Sequence, residues 1–343
     1  MTSRLPDKRR PRHPLPTNIF GIAFGLCGLA GVCTRAHEVG LVQSWLGDIT
    51  WVLAAATWTV TLVVYGARIG AWRLVRSALS DPVQGPFASL AAIVPMLLGV
   101  ALARYSLAAG QAVFAAGLVL TVGFGSWITA QWISTNVVVT RLHPGYSLPT
   151  VTGGLLAAAG SAELGHRTLA YLMLGYGTLC WVMIGPMVLS RLVAHPPLPK
   201  ALLPTLAIEL TPPVVAANAW LTINGGRVDA LEVGLMGHAM FMVLVQVALL
   251  PTFRQTSFGL GHWAFGFSYT TAAALGIRYM AAETVAHQRT LSWLLIGAAI
   301  ACIALLTART TLALVNGTLL PRSSNPVRGF ADQATTHDDA SRR

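Results

Sequence analysis

Long apolar stretches, separated by short turns rich in proline, glycine and arginine, run from Asn18 to the neighbourhood of Val315. A helix needs about 20 apolar residues to cross the hydrocarbon core of a bilayer. Stretches of that kind fall at 17–35, 48–70, 86–107, 111–135, 147–162, 167–193, 202–223, 230–252, 259–281 and 289–317. The fifth is short and rich in glycine and alanine. The pattern predicts an all-α, polytopic membrane protein with ten transmembrane helices. A basic tail, 1–16, precedes the membrane domain, 17–318, and a polar, aperiodic tail, 319–343, follows it as a disordered segment. The first stretch is too long for a signal-peptide core and reads as a membrane span.

Composition narrows the class. Hydrophobic residues make up 54 % of the 343 and charged residues 10 %, with a mean hydropathy of +0.62. A soluble domain carries about 25 % charged residues, so a water-soluble globule is excluded. The net charge of +11 would suggest nucleic acid in a soluble chain. Here it follows membrane topology. With ten spans, one side collects the N-terminal arginines and Lys8, then Arg68, Arg73, Arg76, Arg141, Arg191, Lys200, Arg254 and the C-terminal arginines. The other side holds Arg35, Arg104, Arg167, Arg227, Arg278 and Arg289. The positive-inside rule then places both termini in the cytoplasm, in the cell membrane.

Prolines add a second regularity. Pro14 and Pro16, Pro82 and Pro86, Pro144 and Pro149, and Pro196 to Pro204 precede spans one, three, five and seven. Proline suits a helix start, where its missing N–H costs nothing. Pro95 and the Pro212-Pro213 pair lie inside spans three and seven, where proline kinks a helix and frees a carbonyl one turn earlier. In lipid that carbonyl needs a partner or a wet lumen. The chain therefore reads as five helical hairpins, with the kinked odd helices around a central pore and the even helices outside. Pro95, Pro149 and Pro212 become candidate pore-lining residues. Gly21, Gly25 and Gly28 recur at helical spacing in span one, which favours close helix packing and leaves Gly25 also a candidate for the lumen.

Little in the chain suggests catalysis. There is no DDxxD, HxxxH, HExxH, GxSxG or Walker A pattern. Cys27, Cys33, Cys180 and Cys302 lie singly in apolar runs and read as buried small hydrophobes. Neither an enzyme activity nor a metal or other cofactor is expected. Charges at membrane depth are functional candidates by default. These are Glu209 in span seven, with Arg309 or Arg191 as possible counter-charges, and Arg278 near the far end of span nine. Acids and histidines at mid-depth are scarce, which points to a passive pore or a simple carrier.

Several local patterns resemble one family. They are Phe20-Gly21-Ile22 with Gly25-Leu26 in span one, Asp81-Pro82-Val83-Gln84-Gly85-Pro86-Phe87 before span three, Pro204 to Pro213 in span seven, and Trp263-Ala264-Phe265-Gly266-Phe267 in span nine. In order and spacing they resemble the tellurite-resistance/dicarboxylate transporter family, over about residues 17 to 318. Its members include bacterial tellurite-resistance channels, yeast malate and sulfite transporters and plant slow anion channels. The resemblance implies a homotrimer in which each protomer has its own pore lined by odd helices. It also implies a phenylalanine in span nine that occludes the pore, carried here by Phe267, with Phe265 as the alternative. Family members often have proline after that phenylalanine, where this chain has Ser268, and proline or a small residue where Ala23 stands.

The expected function is passage of small anions through a largely uncharged lumen, with Phe267 as gate and Arg68, Arg73 and Arg76 forming a basic mouth. The alternative is a secondary transporter of C4-dicarboxylates such as malate, or of sulfite- or tellurite-type oxyanions, with Glu209 coupling protons. The partners expected are the anions, the bilayer and further copies of the chain.

Overall fold

The computed structural model of the chain describes residues 15–69, 72–135 and 137–319, with side chains undescribed at 68, 69 and 72–75. The two tails expected at 1–16 and 319–343 lie almost wholly outside the described residues, as do the side chains of Arg68 and Arg73.

Ten long helical elements carry the architecture. They are α1 (Gly21–Glu38), α2 (Ser44–Ile69), α3 (Leu90–Leu102), α4 (Leu107–Ser134), α5 (Gly153–Glu163), α6 (Arg167–Ala194), α7 (Thr211–Ile223), α8 (Ala230–Ala248), α9 (Trp263–Ala282) and α10 (Gln288–Val315). No strand occurs among the described residues. Eight of the helical segments are long and apolar enough to cross a membrane. The two that are not contain α5 and α9. The α5 segment is broken, entering through a 3-10 turn at Pro144–Ser147 and a π turn at Leu148–Thr152 before its 11 α-helical residues. Helix α9 carries Ser268, Tyr269, Thr270, Thr271 and Arg278, which lower its hydropathy.

Local chemistry explains several boundaries. Helix α3 stops at Leu102, short of the expected 107, and Ser106 then starts α4 early by accepting the Ala109 N–H at 3.4 Å. Asp229 caps α8 through the Glu232 N–H at 2.9 Å, and α8 ends ahead of the Pro251 turn. Span seven begins as a 3-10 helix, Lys200–Leu210, that includes Pro204 and hands over to α7 just before Pro212 and Pro213.

Each odd helix packs against the even helix that follows it. The odd helices also touch one another in a closed ring, α1–α3–α5–α7–α9 and back to α1. Burial follows this plan. The apolar windows of the spans containing α1, α3 and α7 are 61 %, 61 % and 72 % buried, against 11 % to 28 % for the even helices. Large apolar side chains such as Val52, Val119, Met183, Leu244 and Leu294 are left exposed on the even helices. A face of this kind, present on all five even helices, fits a lipid environment.

Tryptophans tie the outer helices to the ring. Trp51 of α2 donates to Thr34 Oγ1 on α1 at 3.1 Å, and Trp263 of α9 to Thr310 Oγ1 on α10 at 2.9 Å. Trp58 of α2 donates to the Ala91 carbonyl at 3.0 Å. Pro95 stands four residues after Ala91 and has no N–H to offer it, so the indole occupies the acceptor that proline leaves open.

Candidate functional site

The first and last helices of the ring meet through residues with almost no side chain. A Cβ added at Gly25 would lie 2.9 Å from the Trp263 ring, and one at Gly28 2.0 Å from Thr270 Oγ1 and 3.3 Å from the Phe267 backbone. Because α1 can come this close to α9, the Phe24 and Phe267 rings lie flat on each other. Their centroids are 3.6 Å apart and their planes 14° from parallel. Both are nearly fully buried, at 5 % and 4 % exposure.

This ring pair lies between two cavities. A small one, of about 30 Å³, is lined by Asn18, Phe24, Leu90, Leu148, Ile208 and Thr211, among others. A large one, of about 320 Å³, is lined by Gly28, Leu97, Leu156, Val215, Asn218 and Arg278, among others. All five odd spans contribute to both walls, and Phe267 is the one residue common to both. On α9 the large cavity is lined by Phe267, Thr271, Ala274 and Arg278, a single helical stripe. The two cavities therefore meet at Phe267, and Phe24, stacked on it, lines the smaller one.

Hydroxyl groups shape α9 around the interruption. Ser268, where the resemblance leads one to expect proline, shares a buried 2.7 Å hydrogen bond with Thr211 Oγ1 of α7. Thr270 Oγ1 donates to the Gly266 carbonyl at 2.7 Å. Back-bonding of this kind favours a slight helix bend, a tendency that here needs no proline.

Charge in the large cavity is largely paired. Arg35 is bonded to both Glu38 and Glu163, and Arg104 lies 3.5 Å from Asp48. Arg278 is held differently. Its Nη1 donates to the Asn218 carbonyl at 3.2 Å, to Asn218 Oδ1 at 3.2 Å and to Thr222 Oγ1 at 3.0 Å, all neutral acceptors of α7.

The residues singled out from sequence fall in different places. Phe267 and Arg278 line cavities. Gly25, Pro95, Pro149 and Pro212 line neither. Gly25 packs on Trp263 and Gly266, while the walls are built by neighbours such as Leu90, Leu148 and Thr211. A kink aims a helix, but its lining comes from whichever side chains then point inward. Glu209 also lines neither cavity. Its Oε1 is buried without a hydrogen-bond partner among the described residues, and no ion pair joins it to Arg191 or Arg309. Arg191 instead braces two loops, donating to the Thr140 and Pro196 carbonyls at 3.0 and 2.8 Å. Phe265 turns outward onto Phe253, with centroids 4.8 Å apart. Phe24 was missed from the sequence. Its only signal is a large ring set among the glycines of the α1 face.

Comparison with known proteins identifies the family. The profile of SLAC1, described as the voltage-dependent anion channel family, matches residues 14–311. The tellurite resistance protein TehA homolog of Haemophilus influenzae is 28 % identical over 264 residues, covering 76 % of this chain and 80 % of its own length. The S-type anion channels SLAH1 and SLAH3 of Arabidopsis thaliana are 26 % and 28 % identical. They match 46 % and 44 % of this chain, and the matches span 40 % and 24 % of their own lengths. With its ring of buried helices, its lipid-type outer face and a family match over most of its length, the chain is a multi-pass membrane protein of anion transport and belongs to the SLAC1 voltage-dependent anion channel family.

Proposed function

We propose that the chain is an anion channel whose pore follows the two cavities and whose gate is the stacked pair Phe24 and Phe267. The single observation that carries this reading is that Phe267 alone belongs to both cavity walls. An aromatic pair at that point blocks permeation sterically and excludes water from an apolar constriction. The stacked geometry contributes about 0.5–1.5 kcal/mol beyond simple burial. Opening requires the rings to separate, and an open state a few kcal/mol above the closed one is populated at roughly 0.1–10 %.

In this reading all ten helical elements cross the bilayer, α5 and α9 included, since each closes the ring between neighbours that do. Both termini are cytoplasmic, and the protein resides in the cell membrane as a homotrimer with one pore per protomer. The exposed apolar faces of the even helices meet lipid or the neighbouring protomers. The permeant ions are small inorganic or organic anions. A proton-coupled dicarboxylate carrier gains no support from Glu209, which stands off the pathway.

Planar-bilayer recording tests the gate. Wild type should pass little current, Phe267→Ala at least tenfold more, and Phe24→Ala an intermediate amount. Wild-type-like current from Phe267→Ala would remove the gate assignment.

A further inference from the structure

We propose that Arg278 forms an anion-binding station in the large cavity, built to take a planar oxyanion such as nitrate or a carboxylate. The proposal rests on the channel reading and adds to it a place where the permeating ion pauses.

Three arginines and two glutamates line the large cavity. Arg35 is neutralised by both glutamates and Arg104 lies against Asp48. Arg278 is the one lining cation with no carboxylate within 4 Å among the described residues. It is half-buried, on the same stripe of α9 as Phe267. They stand eleven positions apart in the sequence, which is about 16 Å along a helix axis. An ion that has passed the gate would meet this guanidinium next.

The way Arg278 is held determines what it can bind. Nη1 is committed to Asn218 and Thr222, which fixes the plane of the guanidinium. Nε and Nη2 make no hydrogen bond to a described residue. That edge of the fork presents two parallel N–H groups, the arrangement that pairs with two oxygens of a carboxylate or nitrate. A spherical halide gains from the charge but not from the fork.

A second group keeps the station weak. Glu232, at the start of α8, is fully buried, and neither carboxylate oxygen has a hydrogen-bond partner. It lies within Coulombic reach of Arg278. When ionised, this carboxylate lowers the arginine's hold on an anion, and a pore needs ions to leave as readily as they enter.

The test combines binding and conduction. In detergent, nitrate and acetate should raise the thermal midpoint of wild type more than equal chloride does. Arg278→Gln should lose this ranking, Arg278→Lys should keep a response to all three without the oxyanion preference, and Glu232→Gln should respond at lower anion concentration. In the Phe267→Ala background, the nitrate concentration giving half-maximal conductance should rise about tenfold with Arg278→Gln. If Phe267→Ala conducts anions and adding Arg278→Gln changes neither saturation nor the nitrate-over-chloride ranking, the station is refuted while the channel stands. If Phe267→Ala carries no current, the channel reading fails, and the anion ranking of the thermal midpoint still decides whether Arg278 binds.

Discussion

At the scale of single residues, the proposed gate depends on what is missing as much as on what is present. Phe24 and Phe267 can stack at 3.6 Å only because Gly28 leaves room for the α9 backbone. A methyl group there meets Thr270 Oγ1 at 2.0 Å and the Phe267 ring at 3.3 Å. Overpacking of this kind costs about 1–3 kcal/mol. Gly28→Ala should lower the thermal midpoint and also raise basal conductance, since relief of the clash moves Phe267. A destabilised variant that stays electrically silent would separate the glycine from the gate. The glycine spacing was legible in the sequence as a packing face, and the structure places it so. Phe267 was legible only through the family resemblance, because one phenylalanine in an apolar helix looks like any other. Phe24 was not legible at all. Its partner is more than two hundred residues away, and no local periodicity reports which helix α1 will meet.

Among helices, Pro95 lies inside α3 and Pro149 and Pro212 stand at the starts of helical elements, while neighbouring side chains line the cavities. Pro95 frees the Ala91 carbonyl, and the donor that fills it is Trp58 of a neighbouring helix rather than water in the lumen. This contact fixes α2 against the bend in α3. Trp58→Phe leaves a buried carbonyl without a donor, a loss of about 1–3 kcal/mol. Pro95→Ala restores an N–H at the position four residues on, where the Ala91 carbonyl can use it. The double variant should therefore recover most of the thermal stability lost by Trp58→Phe alone, a non-additive outcome. Simple additivity in denaturation midpoints would contradict the arrangement. The same limit explains why Pro149 and Pro212 do not line the cavities. Sequence shows where a helix bends, whereas the direction of the bend depends on the helices packed around it.

For the whole molecule, the alternation of buried odd and exposed even helices was legible from hydropathy and proline placement together. The close approach of α1 to α9 through Gly25 and Gly28 was not, since it joins the two ends of the chain. Loop packing beside the membrane domain adds a pH dependence. His143, in the loop before the α5 segment, is completely buried, and its Nδ1 accepts the Gly145 N–H at 3.1 Å. Burial pushes its pKa down to about 4, partly offset by the Val83 and Pro82 carbonyls. The ordinary value is about 6.5, so below it the unfolded chain binds a proton that the folded one resists. The stability contributed by neutral His143 is complete above about pH 6.5 and is lost as pH falls toward 4. The thermal midpoint should decline over that window in wild type and decline less in His143→Gln. Equal slopes would show that His143 is not the group responsible.

The central claim is that anions move along the line of cavities once the aromatic pair is opened. The most direct measurement is the reversal potential of the Phe267→Ala current under a tenfold potassium chloride gradient, in protein purified and reconstituted alone. The account predicts reversal close to the chloride equilibrium potential. Reversal at the potassium potential, or at zero, would contradict it.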